Sequence, residues 1–262
     1  DRYFLDRICD RIVAFENGDH YTYVAADVTR AYSSVLDGEQ GQAKTRSAKM
    51  RRCTRQFLYI RGQPEFFVVY DRVEATDAAF PKTWVLHVQD EPKVTAGGKE
   101  LLPTAEGPGF KSYKSADAVV SSVSSRDGRF WKTAKRGALG VRTLLPKGAE
   151  ITKRGGKGFE LWGNPHDPNA RNAMNPAPQF NESDIDVCLW RIEVEPPDRA
   201  ESHRFLNVVI PYGDREGRPA ETLSPLPAAF ELIEDGDRDG VRLKVIATKL
   251  SRELFAARDM RE

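Results

Sequence analysis

Apolar and polar residues alternate along most of this chain with a period of two, most clearly from Asp186 to Glu195. There Cys188, Trp190, Ile192 and Val194 fall on one side. Arg191, Glu193 and Glu195 fall on the other, the pattern of a half-buried antiparallel strand. Similar runs recur at Arg11–Glu16, Tyr21–Tyr32, Met50–Arg61, Glu65–Ala75, Lys82–Gln89, Ala118–Ser122, Gly128–Thr133, Leu139–Leu145, Phe205–Ile210, Ala229–Glu234 and Val241–Thr248. Turn residues separate them, as at Arg61-Gly62-Gln63-Pro64, Ala96-Gly97-Gly98 and Arg154-Gly155-Gly156. Successive short strands of this kind predict an all-β fold, a two-layer antiparallel β-sandwich with few short helices. The helical expectations are one turn at Phe4–Cys9 and a short terminal helix at Leu250–Arg258. Three segments read as long loops: Ser33–Lys49, the Asn- and Pro-rich Gly163–Asp184, and Tyr212–Pro227. None has the character of an interdomain linker, so residues 1–262 are expected to form a single β-sandwich domain.

Composition narrows the function classes. A chain of 262 residues is long enough to bury a substantial core. Hydrophobic residues make up 40% and charged residues 30%, the balance of a globular protein with a well-solvated surface. The formal net charge of +1 supplies no field toward nucleic acid or an anionic membrane. No run approaches the roughly 18 consecutive apolar residues of a membrane span. Asp1-Arg2-Tyr3 reads as a mature or internally cut start rather than a leader. The cysteines Cys9, Cys53 and Cys188 are far apart and form no CxxC pair, which excludes a zinc ribbon or a dithiol redox site. Cys53 and Cys188 lie in apolar runs and read as buried free thiols.

Several stretches, in order, resemble the C-terminal part of the heparinase II/III-like polysaccharide lyases. Tyr21 to Tyr32 (YTYVAADVTRAY) is similar to the family strand Y-x-Y-V-x-G-D-A-T-x-A-Y, with Ala26 where the family usually has glycine. Arg52 to Val73 (RCTRQFLYIRGQPEFFVVYDRV) resembles the family's paired strands that end in Y-D-R-V. Trp84-Val85-Leu86-His87 with Glu91-Pro92, then Gly137 to Pro146, Gly155-Gly156 and Trp190 to Pro196, continue in the family's order. The resemblance spans about residues 11–210.

It implies a supersandwich-like β domain that follows an N-terminal helical toroid in an enzyme cleaving uronic-acid-containing polysaccharides. It also implies a secreted or periplasmic location. The tyrosine and histidines that act in the family come from the toroid and an early β segment. Both would precede residue 1 of this chain, so no catalytic residue is expected within residues 1–262. The His and Asp that hold a metal in some members have no counterpart here, and no cofactor is expected.

β-Elimination requires that the uronate carboxylate be neutralised, that a base remove the C5 proton, and that an acid protonate the leaving oxygen. The four histidines are widely separated in sequence. His87 reads either as a structural strand histidine or as a group beside a glycan cleft. His20 falls in a turn and His203 in a charged hairpin, and neither is assigned a role. The loop of Gly163–Asp184 carries His166, a possible glycan contact, and follows Trp162, a candidate for stacking on a sugar ring.

The strongest charge feature is the run Lys44, Arg46, Lys49, Arg51, Arg52, Arg55 and Arg61, with no acidic residue between. In a strand from Met50, Arg51, Arg55 and Arg61 share a face with Cys53, Phe57 and Tyr59. Those three arginines are the candidate contacts to glycan carboxylates or sulfates, because a guanidinium matches such groups bidentately. The competing reading is cross-strand pairing with carboxylates such as Glu65 or Glu74. Asp235-Gly236-Asp237-Arg238-Asp239-Gly240 copies the first half of a calcium loop. Its twelfth position is Ile246 rather than Glu, so a hairpin at Asp239-Gly240 is the simpler reading. Asn181-Glu182-Ser183 is a glycosylation sequon, meaningful only in a secreted eukaryotic chain.

The expected function is therefore the C-terminal β-sandwich part of a polysaccharide lyase, buttressing a catalytic domain and lining one side of its glycan cleft. Expected partners are an acidic polysaccharide and the helical domain, with a homodimer as an option, and neither nucleic acid nor membrane. The alternative is a stand-alone carbohydrate-binding or structural, dimerising sandwich without chemistry.

Overall fold

The computed structural model describes residues 11–35, 46–62, 65–115, 118–123, 137–156, 159, 188–213, 230–235, 238–244 and 251–257. A nine-stranded sheet runs in the order β1 (Arg11–Asn17), β2 (Tyr21–Asp27), β5 (Met50–Ile60), β6 (Phe66–Ala75), β16 (Ser202–Gly213), β13 (Gly137–Leu145), β12 (Val119–Val123), β8 (Lys93–Ala96) and β9 (Lys99–Glu100). A five-stranded sheet runs β10 (Ala105–Gly107), β11 (Phe110–Lys114), β14 (Glu150–Gly155), β15 (Trp190–Glu195) and β7 (Trp84–Val88). The hairpins β17 (Phe230–Asp235), β18 (Arg238–Lys244) and β19 (Ser251–Ala257) form a third sheet. A small ribbon pairs β3 (Ser33–Val35) with β4 (Arg46–Ala48). A 3-10 turn, Thr29–Tyr32, follows β2. The fold is all-β and antiparallel, as the alternation predicts.

The two larger sheets face each other across a core. Val94, Val120, Val141, Phe205 and Val209 come from the nine-stranded side, and Trp84, Val88, Tyr113, Ile151, Ile192 and Val194 from the five-stranded side. Their alternation places one apolar residue inward every second position, and burying these side chains drives the two sheets together. The nine-stranded sheet also buries its outer face. Phe66, Val68 and Tyr70 of β6, Leu206, Val208 and Ile210 of β16, and Leu145 of β13 pack there with Phe230 of β17. Phe66 and Phe230 meet edge to face at 5.0 Å between ring centres. This second core explains why β16 and the first half of β6 read as nearly continuous apolar runs: there both faces are covered.

Several expectations change. Leu250–Arg258 forms not a helix but the strand β19 over Ser251–Ala257, registered on β18 with Leu254 opposite Val241. So short a helix is marginal on its own, and a waiting strand edge overrides its propensity. The ends of the expected loop Ser33–Lys49 pair as β3 and β4. Asp239 and Gly240 lie inside β18, and Asp235 pairs Arg238, so the hairpin turns before them. Short strands β8 to β11 and β14 arise where no strand was expected. The β8–β9 turn needs positive φ at both Gly97 (56°) and Gly98 (77°), which glycine alone adopts without strain. The expected elements at Phe4–Cys9 and Gly128–Thr133 lie outside the described residues.

Candidate functional site

The nine-stranded sheet is wider than the sheet packed on it, and β7 is the edge strand where the coverage stops. Against that edge, the inner face of β5 and β6 stays open in a cleft of about 770 Å³. Its floor is laid by Cys53, Arg55 and Asp71, one rim by Tyr32 and Lys49, and the facing wall by the segment Phe80 to Val85.

Arg55 and Asp71 sit directly opposite each other in the β5–β6 register. Arg55 donates from Nε to Asp71 Oδ1 and from Nη2 to Oδ2, both at 2.7 Å. The Asp71 side chain is 7% exposed, whereas that of Arg55 is half open to the cleft. Burial pushes the Asp71 carboxyl above the usual carboxylate range, with the Arg55 hydrogen bonds and charge pulling against it. The fork to Asp71 uses two of the five guanidinium donors, so the others remain for a ligand in the cleft.

The rim is positioned locally. Asp27 accepts hydrogen bonds from the Thr29 amide (3.0 Å) and the Thr29 hydroxyl (2.6 Å), which starts the 3-10 turn that carries Tyr32. Those same bonds hold the Asp27 carboxyl below its ordinary range. The Thr29 hydroxyl also accepts from the Cys53 amide at 2.9 Å, tying the turn to β5. Desolvation raises the Tyr32 phenol, and its charge interacts with that of Arg55. Lys82 is buried, donates to the Phe80 carbonyl at 2.9 Å, and is pushed below the ordinary lysine value, chiefly by desolvation.

The open face continues along β5 as an aromatic ladder. Tyr59 stacks on Phe67 at 4.8 Å, Phe57 meets Phe67 at 5.2 Å, and the Arg61 guanidinium lies 5.3 Å over the Tyr59 ring. Arg61 is also anchored at the β1–β2 turn, donating to Gly18 O at 2.8 Å and Asn17 Oδ1 at 2.9 Å. The register Phe15–Val24–Phe57 carries the apolar stripe out to β1, where Phe15 and Ile12 are largely exposed.

The arginine stripe is thus partly assembled. Arg55 and Arg61 share the inner face with Cys53, Phe57 and Tyr59. Arg51 does not line the cleft: a bulge between Met50 and Arg52 makes it the extra residue. It is ion-paired to Glu201 and lies 3.8 Å from Glu74. His87 is exposed on β7, registered opposite Arg191, and points away from the core that Trp84 and Val88 enter. Trp162 and His166 lie outside the described residues. Tyr32, Lys82 and Asp71 were not singled out from sequence, and Lys49 was named only as a member of the cationic run. Tyr32 closes one of the lyase-like motifs and Asp71 lies in the final Y-D-R-V of another, a signal that marked the strands without marking these side chains.

Among the described residues, no group of three or more His, Cys, Asp or Glu is placed to hold a metal ion, and no helix is long and apolar enough to cross a membrane. No protein-family model matches the chain. No curated protein matches it. Among solved structures it is similar to a mutant of the heparan sulfate lyase HepC from Pedobacter heparinus, with 12% identity and a TM-score of 0.46 over 97% of this chain and 28% of that one. It is also similar to a heparinase III gene product with methylated lysines, with 9% identity and a TM-score of 0.41 over 95% of this chain and 27% of that one. The chain spans less than a third of either protein.

Proposed function

We propose that this chain is the C-terminal β-sandwich part of a polysaccharide lyase that acts by β-elimination on uronic-acid-containing glycans. Its cleft beside β7 is its share of the glycan channel. The observation that carries this reading is the cleft itself. Arg55, Lys49 and Lys82 line an open, partly aromatic trough built largely by β5, β6 and the turn after β2, where the lyase-like motifs fall. A uronate brings one carboxylate per ring and an apolar ring face. Forked or ammonium donors answer the first and an aromatic surface the second. The chain contributes binding and buttressing to a helical catalytic domain in a secreted or periplasmic enzyme, and the groups that move protons come from that domain.

Retention of the purified chain on immobilised uronate glycan at low salt tests the reading. Arg55→Lys keeps the charge opposite Asp71 and loses the fork, and Lys49→Gln removes a rim cation. Each is expected to lower retention, and the pair to lower it cumulatively, since an exposed contact contributes about 0.2–1 kcal/mol and is screened by salt. The chain alone is expected to generate no ultraviolet-absorbing unsaturated uronate. Equal retention on a neutral glycan would favour a stand-alone carbohydrate-binding module. No retention on either matrix would leave a structural or dimerising sandwich.

A further inference from the structure

Two lysines are buried among the described residues, Lys82 and Lys153. A buried ammonium is costly unless an anion replaces its hydration. Lys153 has that anion. Its Nζ lies 2.8 Å from Glu91 Oε1, donates to the Pro92 carbonyl at 3.0 Å and sits 5.9 Å from the centre of the Tyr113 ring. Lys82, in the segment between β6 and β7, donates only to the Phe80 carbonyl, at 2.9 Å. Among the described residues, no carboxylate pairs with it. The three whose charges reach it are engaged elsewhere. Asp77 accepts from the Ala79 amide at 2.8 Å, Glu201 pairs with Arg51, and Asp198 is hydrogen-bonded to His203 at 2.8 Å.

Its surroundings favour the neutral amine instead. Lys82 lines the cleft beside β7 together with Phe80, Pro81, Trp84 and Phe205. Arg199, anchored on the Ala79 carbonyl at 2.9 Å, brings a second positive charge near it. Desolvation first, and the Arg199 charge second, hold the Lys82 ammonium below the ordinary lysine value. An amine that is desolvated and set near another cation is activated as a nucleophile toward carbonyl carbon. The same cleft carries Arg55 and Lys49, cations suited to a carboxylate.

We propose that Lys82 is a covalent capture site for a carbonyl compound that bears a carboxylate, an oxo acid, whose carboxylate is held by Arg55 and Lys49. The neutral Nζ attacks the carbonyl carbon and forms a nitrogen–carbon bond. The carbonyl oxygen then leaves as water with the two hydrogens of the amine, which gives an imine without any exchange of electrons. The carboxylate contact rests on the reading of the cleft given above. The imine does not, since glycan retention needs no reactive amine and imine formation needs no glycan.

Glyoxylate with sodium cyanoborohydride, whose hydride reduces the imine to a stable secondary amine, tests this on the full 262-residue chain. Peptide mass spectrometry then reads the label at each lysine. Lys82 is expected to be labelled at least about tenfold faster than Lys111, which is exposed on β11. In urea, which removes the cleft, the two should be labelled alike. Acetaldehyde lacks the carboxylate and should favour Lys82 over Lys111 less than glyoxylate does. Lys49→Gln and Arg55→Lys should slow glyoxylate at Lys82 severalfold and leave acetaldehyde unchanged, with circular dichroism confirming that each variant is folded. Labelling of Lys82 in the folded chain no faster than of Lys111, or a lead that persists in urea, overturns the proposal. Equal preference for glyoxylate and acetaldehyde, unchanged in both folded variants, overturns the oxo acid as the ligand.

Discussion

Asp71 and Arg72 are neighbours on one strand, yet they meet opposite electrostatic surroundings. Asp71 faces inward, buried, with Arg55 directly across from it. Arg72 faces outward, with Arg204 directly across from it and a cavity beside it. The difference follows from water. A carboxylate taken out of solvent is tolerable only with a partner that replaces its hydration, and Arg55 supplies two hydrogen bonds to it. Arg72 and Arg204 are only partly buried and each has interactions of its own, so the two can stand opposite each other. Period-two alternation lets one strand, β6, take part in both arrangements, a neutralised cleft floor with β5 and a facing arginine pair with β16.

The outer face is more than a charged surface, and its apolar part gives the largest expected effect. Phe66 is buried against Phe230, Val68 and Tyr70 in the second core. Phe66→Ala should cost about 3–5 kcal/mol of unfolding free energy in urea. A loss below about 1 kcal/mol would mean that β17 does not seal that face of β6.

The ion pair comes next. Arg55→Leu leaves Asp71 buried without its fork and should cost about 2–4 kcal/mol, less than for a fully buried pair because Arg55 itself is half in water. Adding Asp71→Asn to that variant should recover part of the loss. If the double variant is as unstable as the simple sum of the two single changes, Arg55 and Asp71 are not coupled and the contrast with Arg72 loses its basis.

Much of this was legible in sequence and some was not, for identifiable reasons. β2, β5, β6, β7 and β16 were plain because their apolar residues alternate or run continuously over five or more positions. β8 to β11 and β14 are short and rich in Lys, Glu and Gly, so the pattern that marks a strand barely registers. Glu193 was expected on the solvent side of β15. Its side chain is only 5% exposed, 3.3 Å from Arg154 and 2.5 Å from Arg191, because paired charges can be buried where alternation alone predicts water. One bulge moved Arg51 out of a stripe that strict alternation assigned it to. The cleft could not be read at all: it exists because one sheet is wider than the other, a non-local property that no window of sequence contains.

Two carboxylates of opposite shift give a pH test of the same contrast. Asp71 is raised in the folded state, so its stabilising contribution is full below the ordinary carboxylate value and is lost as pH rises through the raised one. Asp27 is lowered by its bonds to Thr29, so its contribution is present above the ordinary value and is lost as pH falls through the lowered one. Unfolding free energies from acidic to neutral pH, compared with those of Asp71→Asn and Asp27→Asn, should therefore show difference curves of opposite slope. Parallel slopes would mean that burial does not dominate at Asp71.

The smallest effect tests the cationic side. Arg204→Gln removes one member of the like-charged pair and also the other contacts that Arg204 makes, so its net cost at moderate salt should be small, within about 0.5 kcal/mol. The sign is carried by salt rather than by size. Repulsion between Arg72 and Arg204 is screened as ionic strength rises, since the Debye length falls from about 30 Å at 0.01 M to about 10 Å at 0.1 M. Counting the repulsion with Arg72 alone, raising sodium chloride over that range stabilises the unaltered chain more than Arg204→Gln. For Arg55→Gln the order should reverse, because there the added salt weakens an attraction that only the unaltered chain possesses. Thermal unfolding of the three proteins across that range separates the cases. If Arg204→Gln and Arg55→Gln respond to salt in the same direction, the two faces of β6 do not carry the opposite electrostatics that the register assigns them.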